Sequence, residues 1–406
     1  MYFILLFCNV EELYGKVFRT KYAFMECASF YSILYDNNVV MYIVNCLGVT
    51  FLSCLLAGIL IPQILLISFR KKLFDLPDER KIHSSTVPRL GGIAFGPVIL
   101  FSVLFTLALN IILPGLNIIP SLSENATMLF CCVCACILIY LVGIADDLIG
   151  VRYRAKFLVQ IVAGSLIVAS GLWISDFFGM LGIGEIPNSI GYPLTVFMAV
   201  FIINAIYLID GIDGLASGLT GVAFLVYGFV FFLLNDFIFA LICFSTFGVL
   251  LPFFYFNVFG NASKRKKIFM GDTGSYTIGL LTIGVMLKIL SNRLVLLQSG
   301  CNPMLLAFSP LIVPCFDVVR VVLHRFRNKA NLFLPDTNHI HHKLLAVGLS
   351  QHAALISIVS FSLLLTICNI LLNSFINENI LLVIDILIFT IVNIFLSHIR
   401  NKNKND

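Results

Sequence analysis

The sequence predicts an all-α integral membrane protein, a polytopic bundle of about eleven (ten to eleven) transmembrane helices. Of its 406 residues, 60% are hydrophobic and only 12% are charged, and the mean hydropathy is +1.02. Soluble domains carry about 25% charged residues. Apolar stretches of about 18 to 22 residues, long enough to cross a hydrocarbon layer of about 30 Å as helices, recur along nearly the whole chain.

Charged and polar breaks divide the apolar sequence into eleven predicted spans. They lie at about 41–69, 91–113, 127–145, 157–174, 192–209, 214–235, 237–256, 273–290, 303–323, 353–372 and 379–398. No repeat period and no low-complexity linker interrupts them. We therefore predict one transmembrane domain over 41–398, followed by a cytoplasmic tail at 399–406.

Residues 1–40 do not follow this pattern. The first ten residues are apolar but too short to span a membrane, and no basic segment precedes them as in a signal peptide. We treat this stretch as an N-terminal leader. A true start at Met41 is the alternative.

Basic residues alternate between the predicted loops. They concentrate at 70–89, 152–156, 264–267, 325–343 and 400–404, whereas the intervening loops contain a single basic residue, Arg293. By the positive-inside rule the basic loops are cytoplasmic, the amino terminus is outside and the carboxyl terminus is inside. The net charge of +5 is thus explained by anchoring and orientation, and nucleic acid is not an expected partner. Most of the twelve cysteines lie inside apolar spans, where thiols act as small hydrophobes.

The predicted cytoplasmic edges also carry the unusual polar residues. These are Asp146 and Asp147 at the end of the third span, Asn204, Asp210 and Asp213 around the end of the fifth, Asp272 at the start of the eighth, and His339, His341 and His342 after the ninth. One acidic pair at a helix end is often only solvated. Four distant motifs at one membrane depth indicate a site.

This combination of residues is typical of metal-assisted phosphoryl transfer. Adjacent carboxylates repel each other and attract a divalent cation, and oxygen ligands with few imidazoles suit Mg²⁺, with Mn²⁺ as the alternative. Such a cation neutralises a diphosphate, so that catalysis comes mainly from positioning and electrostatics. Glycines around Asp272 would let backbone amides approach phosphate oxygens. Asp317 and Arg320, three residues apart, are expected to form an ion pair within one helix.

Taken in order, five stretches resemble the polyprenyl-phosphate N-acetylhexosamine-1-phosphate transferase family, in its WecA/TagO-like branch. They are DLPDERKIHSSTVPRLGG (75–92), GIADDLIG (143–150), NAIYLIDGIDGL (204–215), IFMGDTGS (268–275) and DTNHIHHKL (336–344). The resemblance covers residues 41 to 350. It implies attack by undecaprenyl phosphate on the β-phosphate of a UDP-N-acetylhexosamine, which releases UMP and starts a lipid-linked surface glycan.

The resemblance also implies roles for individual residues. Asp272 would bind Mg²⁺, Phe269 would stack on uracil, and Lys156 would lie near the diphosphate. Asp146 and Asp147 would be essential, the first as the base that deprotonates the lipid phosphate, and His341 and His342 would form an essential motif. The remaining assignments are Asp210 and Asp213 to catalysis, Asp210 also to the metal, and Asn204, Arg89 and His339 to substrate binding.

Several alternatives stay open at this point. Many family members have Asn where this chain has Tyr207, a poor Mg²⁺ ligand, so Asp210 or water would take that place, or the site would be weaker. A phospho-MurNAc-pentapeptide transferase shares the fold but is expected to show three consecutive histidines. A secondary transporter would place ionisable groups near the bilayer midplane. The sequence does not choose between direct displacement and a covalent aspartyl intermediate, or between a monomer and a homodimer. The resemblance implies a location in the bacterial inner membrane, with the active site on its cytoplasmic face.

Overall fold

The computed structural model describes residues 37–73, 87–113, 122–292, 296–297, 300–329 and 338–405. Most of the predicted leader, residues 74–86 of the first motif and residues 330–337 before the histidines lie outside the described residues. The chain divides into two compact units, Met1–Asn45 and Cys46–Asp406. All packing reported below is within the second unit.

The described residues form helices and contain no β-strand, which confirms the predicted all-α class. In chain order the helices are α1 (Asn37–Lys71), α2 (Phe95–Ile112), α3 (Leu122–Ile149), α4 (Tyr153–Ala169), α5 (Asn188–Ile209), α6 (Leu215–Leu233), α7 (Phe237–Phe254), α8 (Gly271–Ser291), α9 (Pro303–Phe308), α10 (Ile312–Arg327), α11 (Ile340–Ala346), α12 (Gln351–Leu372) and α13 (Glu378–Asn405).

Within the described ranges, ten helical segments are long and apolar enough to cross a membrane. The fourth predicted span, 157–174, is the one not among these ten; it corresponds to α4, which has only 17 residues. The helix stops early because Gly171 adopts a left-handed conformation (φ 91°) and its amide bonds back to the Val168 carbonyl, a common way to end a helix. The chain is a multi-pass membrane protein.

The ninth predicted span is broken into α9 and α10 by a 3₁₀ turn at Ser309–Leu311. Pro310 lies in this turn and lacks the amide hydrogen that a continuous helix requires. In this turn the Ser309 carbonyl accepts from the Ile312 amide and also, at 3.3 Å, from the Thr366 hydroxyl of α12. A helix break in a membrane is tolerated where a neighbouring helix satisfies the backbone in this way.

Helix α8 lies at the centre of the bundle. Of its most apolar window, 83% is buried, against 22% for α3, and α8 packs on α3, α5, α6 and α9. Gly143 of α3 permits the closest approach, since a Cβ there would lie 2.4 Å from the Thr273 Cα atom. This contact joins the end of α3 to the start of α8, where two of the predicted acidic motifs lie.

Candidate active site

Lys156 joins two of the predicted acidic motifs. Its ammonium Nζ lies 3.0 Å from Oδ2 of Asp272 and also contacts Oδ2 of Asp146. Asp146 is in the last turn of α3, Lys156 in the first turn of α4 and Asp272 at the start of α8. The two carboxylates are also within hydrogen-bonding reach of each other. Three groups distant in sequence thus meet around one positive charge.

Asp147 faces the start of α8 rather than Lys156. Its Oδ1 accepts a hydrogen bond of 2.7 Å from the amide of Asp272, and its Oδ2 accepts from the amide (2.9 Å) and hydroxyl (2.5 Å) of Thr273. The first amides of a helix lack partners within that helix, and a carboxylate from elsewhere can supply them. Asp147 therefore caps α8 from α3 and holds the Asp272 backbone in place.

Two tyrosine rings line the Lys156 side of the site. The Tyr207 and Tyr276 rings lie 5.3 Å apart, and the Lys156 ammonium is 6.0 Å from the centre of each. This distance is at the outer limit of a cation–π interaction. The phenol at position 207 thus stands beside the charged cluster, where it contributes aromatic surface.

Asp213 and its neighbours form a second cluster between α5 and α6. The Asp213 carboxylate pairs with Lys267 at 2.5 Å, and Lys267 lies 5.9 Å from the centre of the Phe269 ring. Asn257, in a π-helical turn after α7, accepts from the Gly214 amide at 2.6 Å and donates to the Ile268 carbonyl at 2.8 Å. The loop after α5 is therefore tied to the segment that leads into α8.

Asp210 lies next to this second cluster and is half-buried. Loss of hydration and the neighbouring Asp213 charge together raise its pKa to about 7, and Arg89 opposes them. The charged groups that influence Asp210 are therefore Asp213 and Arg89, whereas those around Asp272 are Asp146 and Lys156.

Arg89 and Phe269 are brought together by backbone pairing. The Phe269 amide donates to the Pro88 carbonyl at 2.9 Å, and the Phe269 carbonyl accepts from the Gly91 amide at 3.0 Å. This pairing fixes the described end of the first motif against the segment before α8. Arg89 is exposed, so its side chain is available to solvent on the same face of the protein.

The histidine motif is held by Asp317 of α10. Nδ1 of His339 lies 2.8 Å from Oδ2 of Asp317, and the Ile340 amide donates to Oδ1 at 3.1 Å. The expected pair between Asp317 and Arg320 is present at 2.8 Å. Arg320 also donates to the carbonyl of Asn338. Asp317 thus positions the start of α11.

His341 connects the histidine motif to the loop after α5. A Cβ at Gly211 would lie 2.1 Å from Nε2 of His341, so the ring packs directly on this glycine, one residue after Asp210. The rings of His341 and His342 are 4.3 Å apart. Burial, with smaller effects of the neighbouring His342 and His339, lowers the pKa of His341 to about 3. The imidazole is therefore neutral near pH 7.

Asn204 is the predicted residue with the most clearly structural contacts. Its amide donates to Oε1 of Gln160 and to the Val200 carbonyl, both at 2.7 Å. The bond to Gln160 ties α4 to α5, whereas the bond to Val200 lies within α5.

Sequence reasoning missed the residues that support the site, namely Asn257, Thr273, Gln160 and Tyr276. Asn257 gave a signal that could have been used, because it is a lone amide in the apolar run Phe253–Phe259. A buried amide in such a run needs hydrogen-bond partners, and here it finds them in two loops.

In the part of the chain that the structure describes, no group of three or more His, Cys, Asp or Glu residues could hold a metal ion alone. Asp146 and Asp272 offer carboxylate oxygens that already converge on one cation, the Lys156 ammonium. Mg²⁺ is commonly bound through one or two carboxylates, several waters and substrate phosphates. The residues present fit this mode of binding and do not form an all-protein cage.

Comparison with known proteins agrees with this geometry. The family model described as glycosyl transferase family 4 matches residues 129–290. A probable undecaprenyl-phosphate N-acetylglucosaminyl 1-phosphate transferase of Bacillus subtilis (strain 168) is 31% identical over 329 residues, which cover 80% of this chain and 85% of that protein. The chain belongs to glycosyl transferase family 4.

Two further family 4 relatives are undecaprenyl-phosphate alpha-N-acetylglucosaminyl 1-phosphate transferases, from Yersinia pestis and Escherichia coli (strain K12). Each is 28% identical over 321 residues, covering 78% of this chain and 82% of the relative. The stretch matched by the family 4 model contains Asp146, Lys156 and Asp272 but ends before α9–α13. The histidine motif and its supports thus lie outside that stretch.

Proposed function

We propose that this chain transfers an N-acetylhexosamine 1-phosphate, in the first place GlcNAc-1-phosphate, from a UDP-sugar to undecaprenyl phosphate, releasing UMP. The observation that carries the proposal is the match, along about 80% of the chain, to proteins named as undecaprenyl-phosphate N-acetylglucosaminyl 1-phosphate transferases. The convergence of Asp146, Lys156 and Asp272 supports it, because phosphoryl transfer is promoted by a lysine and a carboxylate-bound cation that neutralise the diphosphate.

Asp272, together with a second carboxylate, would hold the Mg²⁺ ion. Asp210 would be that second carboxylate, as predicted, whereas Asp146, which lies beside Asp272, would act on the lipid phosphate. When bound, the ion would neutralise the diphosphate and stabilise the charge that develops on the leaving UMP. The aromatic ring of Tyr207 next to this pair supplies no amide ligand, so waters and substrate oxygens would complete the coordination.

Lys156 would change partners when the substrate binds. In the described structure its charge is shared by Asp146 and Asp272. A diphosphate and its cation would draw the ammonium to a phosphate oxygen and leave Asp146 free of its ion pair. Asp146 would then accept the proton of the lipid phosphate as a general base. Asp147 would act by positioning, since all of its described hydrogen bonds go to the start of α8.

The second cluster would bind the nucleotide. Phe269 would stack on the uracil, with Lys267 and Asp213 fixing the loop beneath it. Arg89, in the backbone segment that pairs with Phe269, would contact the phosphates or the ribose. Asn204 would affect substrate binding indirectly, because its bond to Gln160 sets the position of α5.

His341 and His342 would act as neutral hydrogen-bonding groups at the sugar-phosphate end of the site. The depressed pKa of His341 keeps its imidazole uncharged, so it would donate or accept hydrogen bonds without carrying positive charge. His339, oriented by Asp317, would fix the direction from which this pair reaches the substrate.

The site would face the cytoplasm of a bacterial inner membrane. The described parts of the five motifs contact one another, and in the sequence they adjoin the basic loops, which the positive-inside rule assigns to the cytoplasm. Loops at the opposite end contact one another through Asn379 and Gly179, whose side-chain to carbonyl distance is 3.1 Å. Those loops contain few basic residues.

The test is a reconstituted reaction. Purified protein in detergent with undecaprenyl phosphate and Mg²⁺ is given UDP-GlcNAc, UDP-GalNAc or UDP-glucose, and release of UMP is measured. We expect UMP with UDP-GlcNAc or UDP-GalNAc, and none without the lipid phosphate. No UMP with either N-acetylhexosamine donor, from protein that is monodisperse, would contradict the proposal.

A further inference from the structure

The short helix α11 is contacted on two opposite faces. His341 packs on Gly211 on one side. Lys343, two residues later, points about 200° away because each residue of an α-helix turns by about 100°. Its ammonium contacts α13, donating to Oγ of Ser397 at 2.9 Å and to Oδ1 of Asn393 at 3.3 Å. The helix that carries the histidines is therefore held between the loop after α5 and α13.

Helix α13 makes a further contact with the same segment. Nη1 of Arg400 donates to Oδ1 of Asn338 at 3.2 Å, while the carbonyl of Asn338 accepts from Arg320 of α10. Asn393, Ser397 and Arg400 are spaced by four and three residues, which places them on one face of α13. The positions beside them, Ile394 and Phe395, are exposed and apolar. One polar face of an otherwise lipid-compatible helix is thus directed at the histidine segment.

Burying these polar side chains costs free energy, and a helix does not need such contacts to span a membrane. Lys343 is only 5% exposed and Asn393 only 3%. The Lys343 ammonium donates hydrogen bonds to neutral oxygens of Asn393 and Ser397. Burial, together with the charges of Arg320 and Arg400, lowers its pKa to about 8. An apolar face would pack at lower cost, since buried charges are expensive. Buried polar contacts of this kind can instead specify one relative position of two elements.

We propose that α13 is a positioning element for the histidine motif, and that Asn393, Ser397 and Arg400 hold α11 so that His341 stays against Gly211. The inference rests on the proposed function, since it assumes that His341 works in the transfer reaction. Reacting groups must be held within about 0.5 Å of their productive position. Displacement by about 1 Å can cost about 100-fold in rate.

The experiment compares two matched variants. Asn393→Leu removes an acceptor of Lys343, and Asn369→Leu removes an equally buried asparagine between α12 and α13 that bonds Asp385 at 2.8 Å. Purified proteins are assayed for kcat with UDP-GlcNAc and undecaprenyl phosphate. They are also treated with diethyl pyrocarbonate, and modification of His341 is measured by peptide mass spectrometry relative to the exposed His352.

For Asn393→Leu we expect kcat to fall about 10-fold or more and His341 to be modified several times faster, with both close to wild type in Asn369→Leu. Lys343→Met should give the same two changes, and the double variant Lys343→Met/Asn393→Leu should be no worse than either single variant. Equal behaviour of Asn393→Leu and Asn369→Leu in either measurement, or additive losses in the double variant, would overturn the inference. An inactive wild-type protein would instead overturn the proposed function.

Discussion

The carboxylate of Asp147 accepts a 2.7 Å hydrogen bond from the backbone amide of Asp272, 125 residues later in the chain. Two more bonds from Thr273 complete the contact. The adjacent Asp146 points instead to Lys156. The two neighbouring aspartates therefore have different roles. Asp147 fixes the start of α8, and Asp146 faces the charged centre of the site.

Asp147→Asn should lower kcat about 10- to 100-fold, the usual cost of losing an outer partner of a metal ligand. The amide nitrogen of Asn cannot accept a hydrogen bond, so at least one donor at the start of α8 loses its partner. Thr273→Val, which removes only the hydroxyl bond, is the graded control and should lose less. Kinetics at varied Mg²⁺ concentration measure both effects. A larger loss in Thr273→Val than in Asp147→Asn would contradict the positioning role.

Gly143→Ala should destabilise the protein by about 1–3 kcal/mol, the usual cost of overpacking a tight contact. The added methyl group would meet the Thr273 backbone, which cannot move without displacing Asp272. Gly284→Ala is the matched control, because it is also a glycine within a spanning helix but has no atom within 4 Å of the added Cβ. Thermal unfolding in detergent compares the two. Equal midpoints would show that α3 and α8 do not meet as closely as described.

Asp272→Ala and Asp146→Asn should lower activity for different reasons. The first removes the proposed metal ligand, so apparent Mg²⁺ affinity should weaken and turnover should fall about 100-fold or more. The second should keep Mg²⁺ and UDP-sugar binding nearly intact but lose about 10²–10⁴-fold in kcat, the range of general-base catalysis. Its residual rate should rise with pH as the lipid phosphate deprotonates unaided.

Metal titrations and pH–rate profiles on both variants separate these roles. Loss of Mg²⁺ affinity in Asp146→Asn, together with normal affinity in Asp272→Ala, would exchange the assignments. Normal turnover in both variants would place the site elsewhere.

His341 should not titrate in the working range of pH. Its pKa is lowered to about 3 by burial, so the imidazole stays neutral from about pH 5 upward and its charge cannot produce an acidic limb there. His341→Gln should therefore lower kcat by a similar factor at every pH between 5 and 9, with a profile parallel to that of wild type. His352→Gln serves as the control for an exposed histidine. Loss of an acidic limb only in His341→Gln would show that this imidazole becomes charged during turnover.

The proposed orientation gives a simple labelling pattern. In a background without reactive cysteines, Glu185→Cys and Phe375→Cys should react with an impermeant thiol reagent applied to intact cells. Arg265→Cys and Leu345→Cys should react only after the membrane is permeabilised. The opposite pattern would reverse the orientation and place the charged cluster outside.

Much of the fold could be predicted from the sequence because each span is an independent apolar run with charged ends. The early end of α4 was missed, since Ser170 and Gly171 interrupt the helix without a change in hydropathy. The meeting of Asp146 with Asp272 was expected only as a shared membrane depth. The contact itself depends on α8 being central, which no local pattern indicates.

The division of roles between Asp146 and Asp147 could not be derived from their positions, because adjacent residues look alike until the partner helix is known. The role of Arg400 could not be derived from its position either. Its charge at the end of an apolar span was attributed to anchoring, whereas its guanidinium bonds Asn338. Local patterns predicted which residues are unusual, and packing determined which of them meet.

The most direct test of the account uses UDP-GlcNAc labelled with ³²P in the β-phosphate, given to the purified enzyme with undecaprenyl phosphate and Mg²⁺. The predicted result is that the label passes into organic-extractable lipid as GlcNAc diphosphate undecaprenol, with unlabelled UMP released, and that Lys156→Ala abolishes the transfer. Label that stays in the aqueous phase with the wild-type protein, or a Lys156→Ala variant that transfers it at the wild-type rate, would contradict the account.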